Sequence, residues 1–320
     1  MNLRDIYYTV KPVVPRGMQI FLRRNRALWK RTFYRHKWPI DENAGSVPRG
    51  WRGWPEGKQF GVVLTHDVDS ARGQERCGEL MNFEVEMGFR SSFNFVPEGY
   101  SVSGKLRDMI GNSGFEVGIH GLNHDGKLYR SRKIFEERAQ RINEYAREWN
   151  VVGFRSPAMH HNLEWLLELN MEYDASTFDT DPFEPQSDGI GTIFPFWVPG
   201  NGYRNGYVEL PYTLPQDFTL FVLLRERSID IWKRKLEWVA KCGGMALVNT
   251  HPCYMHLGGS RQRADEYPVR YYLELLKHMK DEYEGLYWHG LPREVARFIG
   301  SWAPSHVSRS RLGIAASSPK

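Results

Sequence analysis

The sequence predicts an α/β fold of barrel type. Short apolar, β-branched runs alternate with helical stretches from residue 60 to the late 280s. Polar motifs stand at the C-terminal ends of those runs, the rim where barrels carry their sites.

The elements follow in order. Residues 1–40 hold ten Lys/Arg against one acid, Asp5, so this arm carries +9 of a chain whose net charge is +5. The remaining 280 residues therefore sum to −4. After Pro15 the cations interleave with Met18, Ile20, Phe21, Leu28, Trp29 and Phe33, which predicts a basic amphipathic helix. One use of such a helix is an anionic membrane surface, with cations at headgroups and Phe21, Trp29 and Phe33 in the interface. The other is packing on the body with a solvated basic face. Residues 41–58, rich in Gly, Pro and Trp, read as a linker.

The body, 59–300, begins with an apolar run at 60–64 that leads into Thr65-His66-Asp67-Val68-Asp69. A helix is expected at 78–87 and a strand at 92–96. An alternating run at 114–119 points at His120-Gly121-Leu122-Asn123-His124. A charged amphipathic helix at 133–149 precedes a strand at 151–154 that ends in Arg155-Ser156-Pro157. A helical turn is expected at 163–169. The stretch 181–215 is long, helix-free and rich in Gly, Pro and aromatics, as in an insertion over a site. Strands are expected at 208–210, 245–248 and 286–288, and helices at 229–241 and 268–283. The strand at 245–248 runs into Asn249-Thr250-His251-Pro252. Residues 301–320, rich in Ser, Pro and Arg, read as a disordered tail.

Composition excludes several classes. The three cysteines, Cys77, Cys242 and Cys253, are scattered and form no disulfide framework or CxxC pair, which points to a reducing compartment. No apolar h-region or membrane-spanning stretch is visible, so a cytoplasmic protein is expected. No nucleic-acid module follows the basic arm, and no nucleic-acid partner is expected.

Asp67 and Asp69 project to the same side if the extended backbone persists through them. His120 and His124 share a face if one helical turn joins them. Asp69, His120 and His124 make a one-carboxylate, two-histidine set that suits a divalent metal, zinc by its N/O donors, with open positions. The same set serves non-haem iron oxygenases, but their jelly-roll does not fit strand–helix alternation. Asp67 is then free to act as a base. Trp197 and Tyr212, beside Phe194-Pro195-Phe196 and Leu210-Pro211, are candidate sugar-pocket residues.

In order and spacing, these motifs resemble the polysaccharide deacetylases, carbohydrate esterase family 4 with its NodB-homology domain, over roughly residues 58–300. Asp-Val-Asp replaces the common adjacent aspartates and resembles a branch of that family. The resemblance implies a distorted, incomplete (β/α) barrel with fewer than eight strands. It implies Asp67 as base and Asp69, His120 and His124 as ligands of one divalent ion. It implies Arg155 as partner of the base and His251 as general acid. A carboxylate should orient His251; Asp174, Asp179 and Asp181 compete, with Asp179 preferred. Ala158 replaces the aromatic common after the Arg-Ser-Pro motif, and its backbone N–H is a candidate oxyanion donor.

The expected activity is metal-dependent removal of an N-acetyl group from a saccharide. The expected substrate is a cytoplasmic nucleotide- or lipid-linked precursor of a surface polysaccharide, reached at the inner membrane face. Two other readings keep the fold: a catalytically silent carbohydrate-binding or scaffolding protein, and a deacylase of a non-sugar amide.

Overall fold

The computed structural model describes residues 14–202, 205–259 and 261–302. Of the tail expected at 301–320, residues 303–320 lie outside the described residues, as does the first part of the arm, while Trp302 packs on Trp51 at 5.2 Å.

β1 (Phe60–Val68) is buried along its whole length, as its unbroken apolar start requires of a strand covered on both faces. Parallel pairing with β2 (Ser92–Phe95) and β8 (Met245–Thr250) places it inside the sheet. The wall continues through β3 (Glu116–His120), β4 (Gly153–Arg155), β5 (Tyr173–Asp174) and β7 (Tyr207–Glu209), all parallel. β6 (Phe196–Val198) adds antiparallel to β7, and β11 (Tyr287–His289) pairs with the first residues of β1. The sheet thus has nine strands, more than the expected count, although the parallel run from β8 to β7 numbers seven.

β7 does not pair with β8. The segment after β7 spans that gap: Thr213 Oγ1 donates to Met245 O at 2.7 Å, and the Thr213 and Leu214 amides donate to Leu247 O. The barrel is distorted and incomplete, as expected. Helices α2 (Ala71–Met87), α3 (Gly104–Asn112), α4 (Arg132–Trp149), α5 (Asp230–Cys242), α6 (Arg270–Tyr283) and α7 (Pro292–Gly300) accompany the strands. The helical turn expected at 163–169 is a short 3₁₀ turn, Trp165–Glu168. A two-stranded ribbon, β9 (Met255–His256) with β10 (Tyr267–Pro268), follows the His251 motif.

The basic arm forms α1 (Arg16–Tyr34), which packs on the body through Ile20 and Ala27. Its seat is a buried π-helical segment, Phe218–Leu223. Arg24 donates to the carbonyls of Val222 and Leu223 at the C-terminal end of that segment, where a cation complements unsatisfied carbonyls. Arg31 pairs with Glu226 at 2.6 Å. The stretch expected as a linker is packed: Trp38, Ala44 and Trp54 are buried, and the Trp238 indole donates to Glu42 at 3.0 Å.

Candidate active site

β1, β3, β4 and β8 deliver their polar C-terminal residues to one rim. Asp67 is the last-but-one residue of β1 and Asp69 follows the strand, so extended backbone keeps both on one side. Asp69 Oδ1 lies 3.3 Å from His120 Nε2 and 3.4 Å from His124 Nε2. That oxygen is buried and takes no aligned hydrogen bond. His120 Nδ1 lies 3.1 Å from Arg155 O, so an Nδ1–H donates there and leaves the Nε2 lone pair facing Asp69. The donor atoms of Asp69, His120 and His124 all lie within 4.8 Å of one another. A buried carboxylate oxygen without a hydrogen bond, beside an imidazole held in the ligating tautomer, fits a divalent cation. Burial alone would raise the Asp69 pKa; His124 and His120 outweigh it and hold the carboxyl far below its ordinary range.

The two histidines do not share a helical turn. His120 ends β3, and His124 sits in the bend that follows. Gly121 makes that bend with φ of 66°, and a Cβ there would stand 2.6 Å from the Pro157 ring. Gly121→Ala therefore faces both a left-handed backbone and a clash, roughly 1–3 kcal/mol or more. The variant is expected to melt at lower temperature and to hold metal more weakly. Unchanged melting and metal content would remove this account of the bend.

Asp67 is buried, and its carboxylate is held from three sides. Asn94 donates to Oδ1 at 3.0 Å and Asn249 to Oδ2 at 2.8 Å. Arg155 Nη1 reaches Oδ1 at 3.4 Å, while its shorter bonds go to Thr65 Oγ1 and Asn249 Oδ1, at 2.7 and 2.6 Å. Burial raises the Asp67 pKa, but His120, Arg155 and His251 prevail and lower it to about 2. The carboxylate is ionised across the physiological range.

His251 follows β8 and lies 3.9 Å from Asp67 Oδ2 through Nε2. Its Nδ1 is 2.7 Å from Asp217 Oδ1, and its backbone N–H donates to Asp217 Oδ2 at 2.8 Å. Tyr267 also donates to that carboxylate, at 3.0 Å. Burial lowers the His251 pKa, yet Asp217 overcomes it and raises the value to about 9. The orienting carboxylate is thus Asp217, which corrects the choice of Asp179. Asp179 is buried against Lys235, a charge partner that keeps it from His251. Asp181 accepts from Tyr212, and Asp174 accepts from Ser176.

These residues open into a cavity of about 690 Å³. Ala158 lines it, at the head of two consecutive left-handed residues, Ala158 and Met159, with φ of 55° and 52°. Phe183 to Gln186, from the helix-free stretch, form part of the wall. Trp197 and Tyr212 do not line the cavity, which corrects both pocket assignments. Trp197 is on the edge strand β6, packed over Gly206. Tyr212 is core, its one hydroxyl proton shared between Asp181 and Glu184. One further wall escaped the sequence reading: Arg23, Arg26, Ala27 and Lys30 of α1.

No family model matches the chain, and no curated protein matches it. Solved structures do. A protein described as a polysaccharide deacetylase from Mycobacterium smegmatis superposes with a TM-score of 0.61 at 18% identity, over 83% of this chain and 99% of that one. A second protein so described, from Pseudomonas aeruginosa PAO1, gives 0.59 at 13% identity, over 84% and 100%. The fold is that of the polysaccharide deacetylases. An allantoinase, PuuE, shares it equally well, with a TM-score of 0.59 at 14% identity over 84% and 99%. The fold is therefore shared by proteins described under more than one name.

Proposed function

We propose that this protein is a metal-dependent N-deacetylase of the polysaccharide deacetylase family acting on an N-acetylated sugar. The observation that carries the reading is one cavity floor holding Asp69, His120 and His124, with Asp67 beside them and His251 across from it. Asp69, His120 and His124 would hold one divalent ion, zinc by its donors. Such an ion supplies Lewis acidity toward water and the acyl carbonyl.

The chain's own residues divide the remaining work. Asp67, ionised and fixed by Asn94, Asn249 and Arg155, takes a proton from the attacking water. His251, kept protonated by Asp217, gives a proton to the departing amine nitrogen. The Ala158 N–H, in a strained turn on the cavity wall, donates to the developing oxyanion. An ionised carboxylate and a protonated imidazole 3.9 Å apart on the floor of one cavity support a hydrolase over a silent scaffold. The rival with a specific observation is a non-sugar amide hydrolase, since an allantoinase shares the fold. Acetate release from N-acetyl sugars, set against release from simple N-acetyl amides, separates the two.

The substrate in this reading is a cytoplasmic nucleotide- or lipid-linked sugar. Among the described residues no helix is long and apolar enough to cross a membrane. The outer face of α1 carries Met18, Phe21, Leu22, Trp29 and Phe33, between 52% and 63% exposed. That apolar face supports peripheral attachment to an anionic membrane, but not with all cations at the headgroups, because Arg23, Arg26 and Lys30 turn to the cavity. Intact protein should co-sediment with anionic vesicles, less so at high salt, and Trp29→Ala with Phe33→Ala should reduce it. Protein that ignores vesicles at every salt concentration ends this part of the reading.

A further inference from the structure

Deacetylation needs the metal set, the base and the acid. It does not need the cations of α1. Arg23, Arg26 and Lys30 fall at i, i+3 and i+7, so they share one face of the helix. That face forms a wall of the same cavity as Asp67 and His251. Ala27, buried at 3% exposure on the same face, lets the helix backbone sit close to the body.

Arg23 is tied to the floor through two packed aromatic rings. The Arg23 guanidinium lies 4.5 Å from the Phe218 ring centroid. Phe218 packs on Tyr254 at 4.7 Å, and Tyr254 on His251 at 5.3 Å. A ligand with its acyl group at the floor therefore meets Arg23 beyond two aromatic rings, Tyr254 and Phe218. The nearby carboxylates offset only part of the charge: Glu184 faces Arg23 and Lys30, and Asp181 faces Lys30. Asp67 and Asp69 are engaged with Arg155 and the histidines. Glu184 is buried, accepts from Gln216 and shares the Tyr212 hydroxyl with Asp181; burial, reinforced by Asp181, raises its pKa to about 8 despite Arg23. The ion pairs of α1 are made elsewhere, by Arg31 with Glu226 and by Arg16 beside Asp265. Lys30 donates to the carbonyl of Pro182, which holds its ammonium at the cavity wall.

We infer that Arg23, Arg26 and Lys30 form an anion subsite that takes the phosphate or diphosphate joining the sugar to its carrier. The inference deepens the deacetylase reading and rests on it for the sugar. Two guanidiniums and an ammonium on one face suit phosphate oxygens, which accept several charge-assisted bonds at once. A neutral polysaccharide would leave the excess of positive charge on this wall, beyond what Glu184 and Asp181 offset, without a ligand counter-charge.

The test uses the full chain as purified and inorganic pyrophosphate as probe, followed by titration calorimetry. Wild-type protein should bind it, with affinity falling as salt rises. Arg26→Gln and Arg23→Gln should each weaken binding on the order of tenfold, the effect of one charge-assisted contact. Arg35→Gln, on exposed backbone just past the helix, should not. Arg23 also stacks on Phe218, so the exposed Arg26 provides the variant least able to disturb folding. Competition by a nucleoside-diphosphate N-acetylhexosamine, against a polyprenyl-phosphate N-acetylhexosamine in detergent, identifies the carrier. Wild-type protein that binds no pyrophosphate overturns the inference. So does binding that survives both substitutions, as binding to the metal alone would, or competition by neither carrier. The readout needs no turnover. Pyrophosphate binding without acetate release from any sugar would therefore sink the deacetylase reading and leave the subsite standing.

Discussion

Asp67→Asn should retain the metal and lose acetate release by about a hundredfold or more, the scale of a general base removed from a hydrolysis. The amide preserves the shape of the side chain between Asn94, Asn249 and Arg155 but cannot take a proton near neutrality. Asp69→Asn, His120→Ala and His124→Ala should behave differently, losing metal and activity together, because their donor atoms face one another around a single point. Metal analysis beside turnover separates the two groups. If Asp67→Asn sheds the metal while Asp69→Asn keeps it, the two aspartates have exchanged roles.

Asp217→Asn should move the alkaline limb of the pH–rate profile. With Asp217 in place the His251 pKa is raised to about 9 from an ordinary 6.5, so the acid is protonated through the neutral range. Without that carboxylate, burial pulls the value down, opposed only by Asp69 and Asp67. The variant should then lose activity on the order of tenfold or more near pH 8, and much less near pH 6. His251→Ala should remove the limb altogether. The same pair links pH to stability. A histidine whose folded pKa is raised stabilises the fold fully below about 6.5 and loses that contribution as pH rises through about 9. Asp179→Asn should leave the alkaline limb in place, since Asp179 faces Lys235. A limb that moves with Asp179 and not with Asp217 would contradict the assignment.

The proposed floor is legible in sequence because its residues stand at strand ends in a fixed order. An apolar run such as 60–64 announces β1, and the polar residues that follow must emerge at the rim. Asp217 was not legible. It follows a long stretch without regular periodicity, and only the fold brings it to His251, 34 residues later. The Asp174, Asp179 and Asp181 cluster looked better in sequence because acids near a strand end attract attention. Burial gives each a local partner instead: Ser176, Lys235 and Tyr212. Asn94 and Asn249 were also silent, since an asparagine in a strand carries no periodic signal until its neighbour is known. Trp197 and Tyr212 illustrate the opposite error, in which aromatic composition suggested a pocket and packing claimed the side chains.

Within the arm, Arg16–Tyr34 is helical, but the sequence does not orient that helix. Sequence gives the two faces of α1, and it does not say which one meets the body. The structure turns one row of cations to the cavity and the aromatic row outward. Ala27 and Ile20 decide this, being the residues the helix buries. Deletion of residues 1–40 would therefore remove a cavity wall, and it cannot serve as a neutral truncation.

Acetate release is the measurement that bears most directly on the central claim. Purified protein is offered N-acetyl sugars, sugar nucleotides and lipid-linked N-acetyl sugars, before chelation, after it, and after zinc is returned. The account predicts acetate from at least one phosphate-linked sugar, loss of release on chelation and recovery with zinc. Fully metallated protein that releases no acetate from any of them, or release indifferent to chelation, would contradict it.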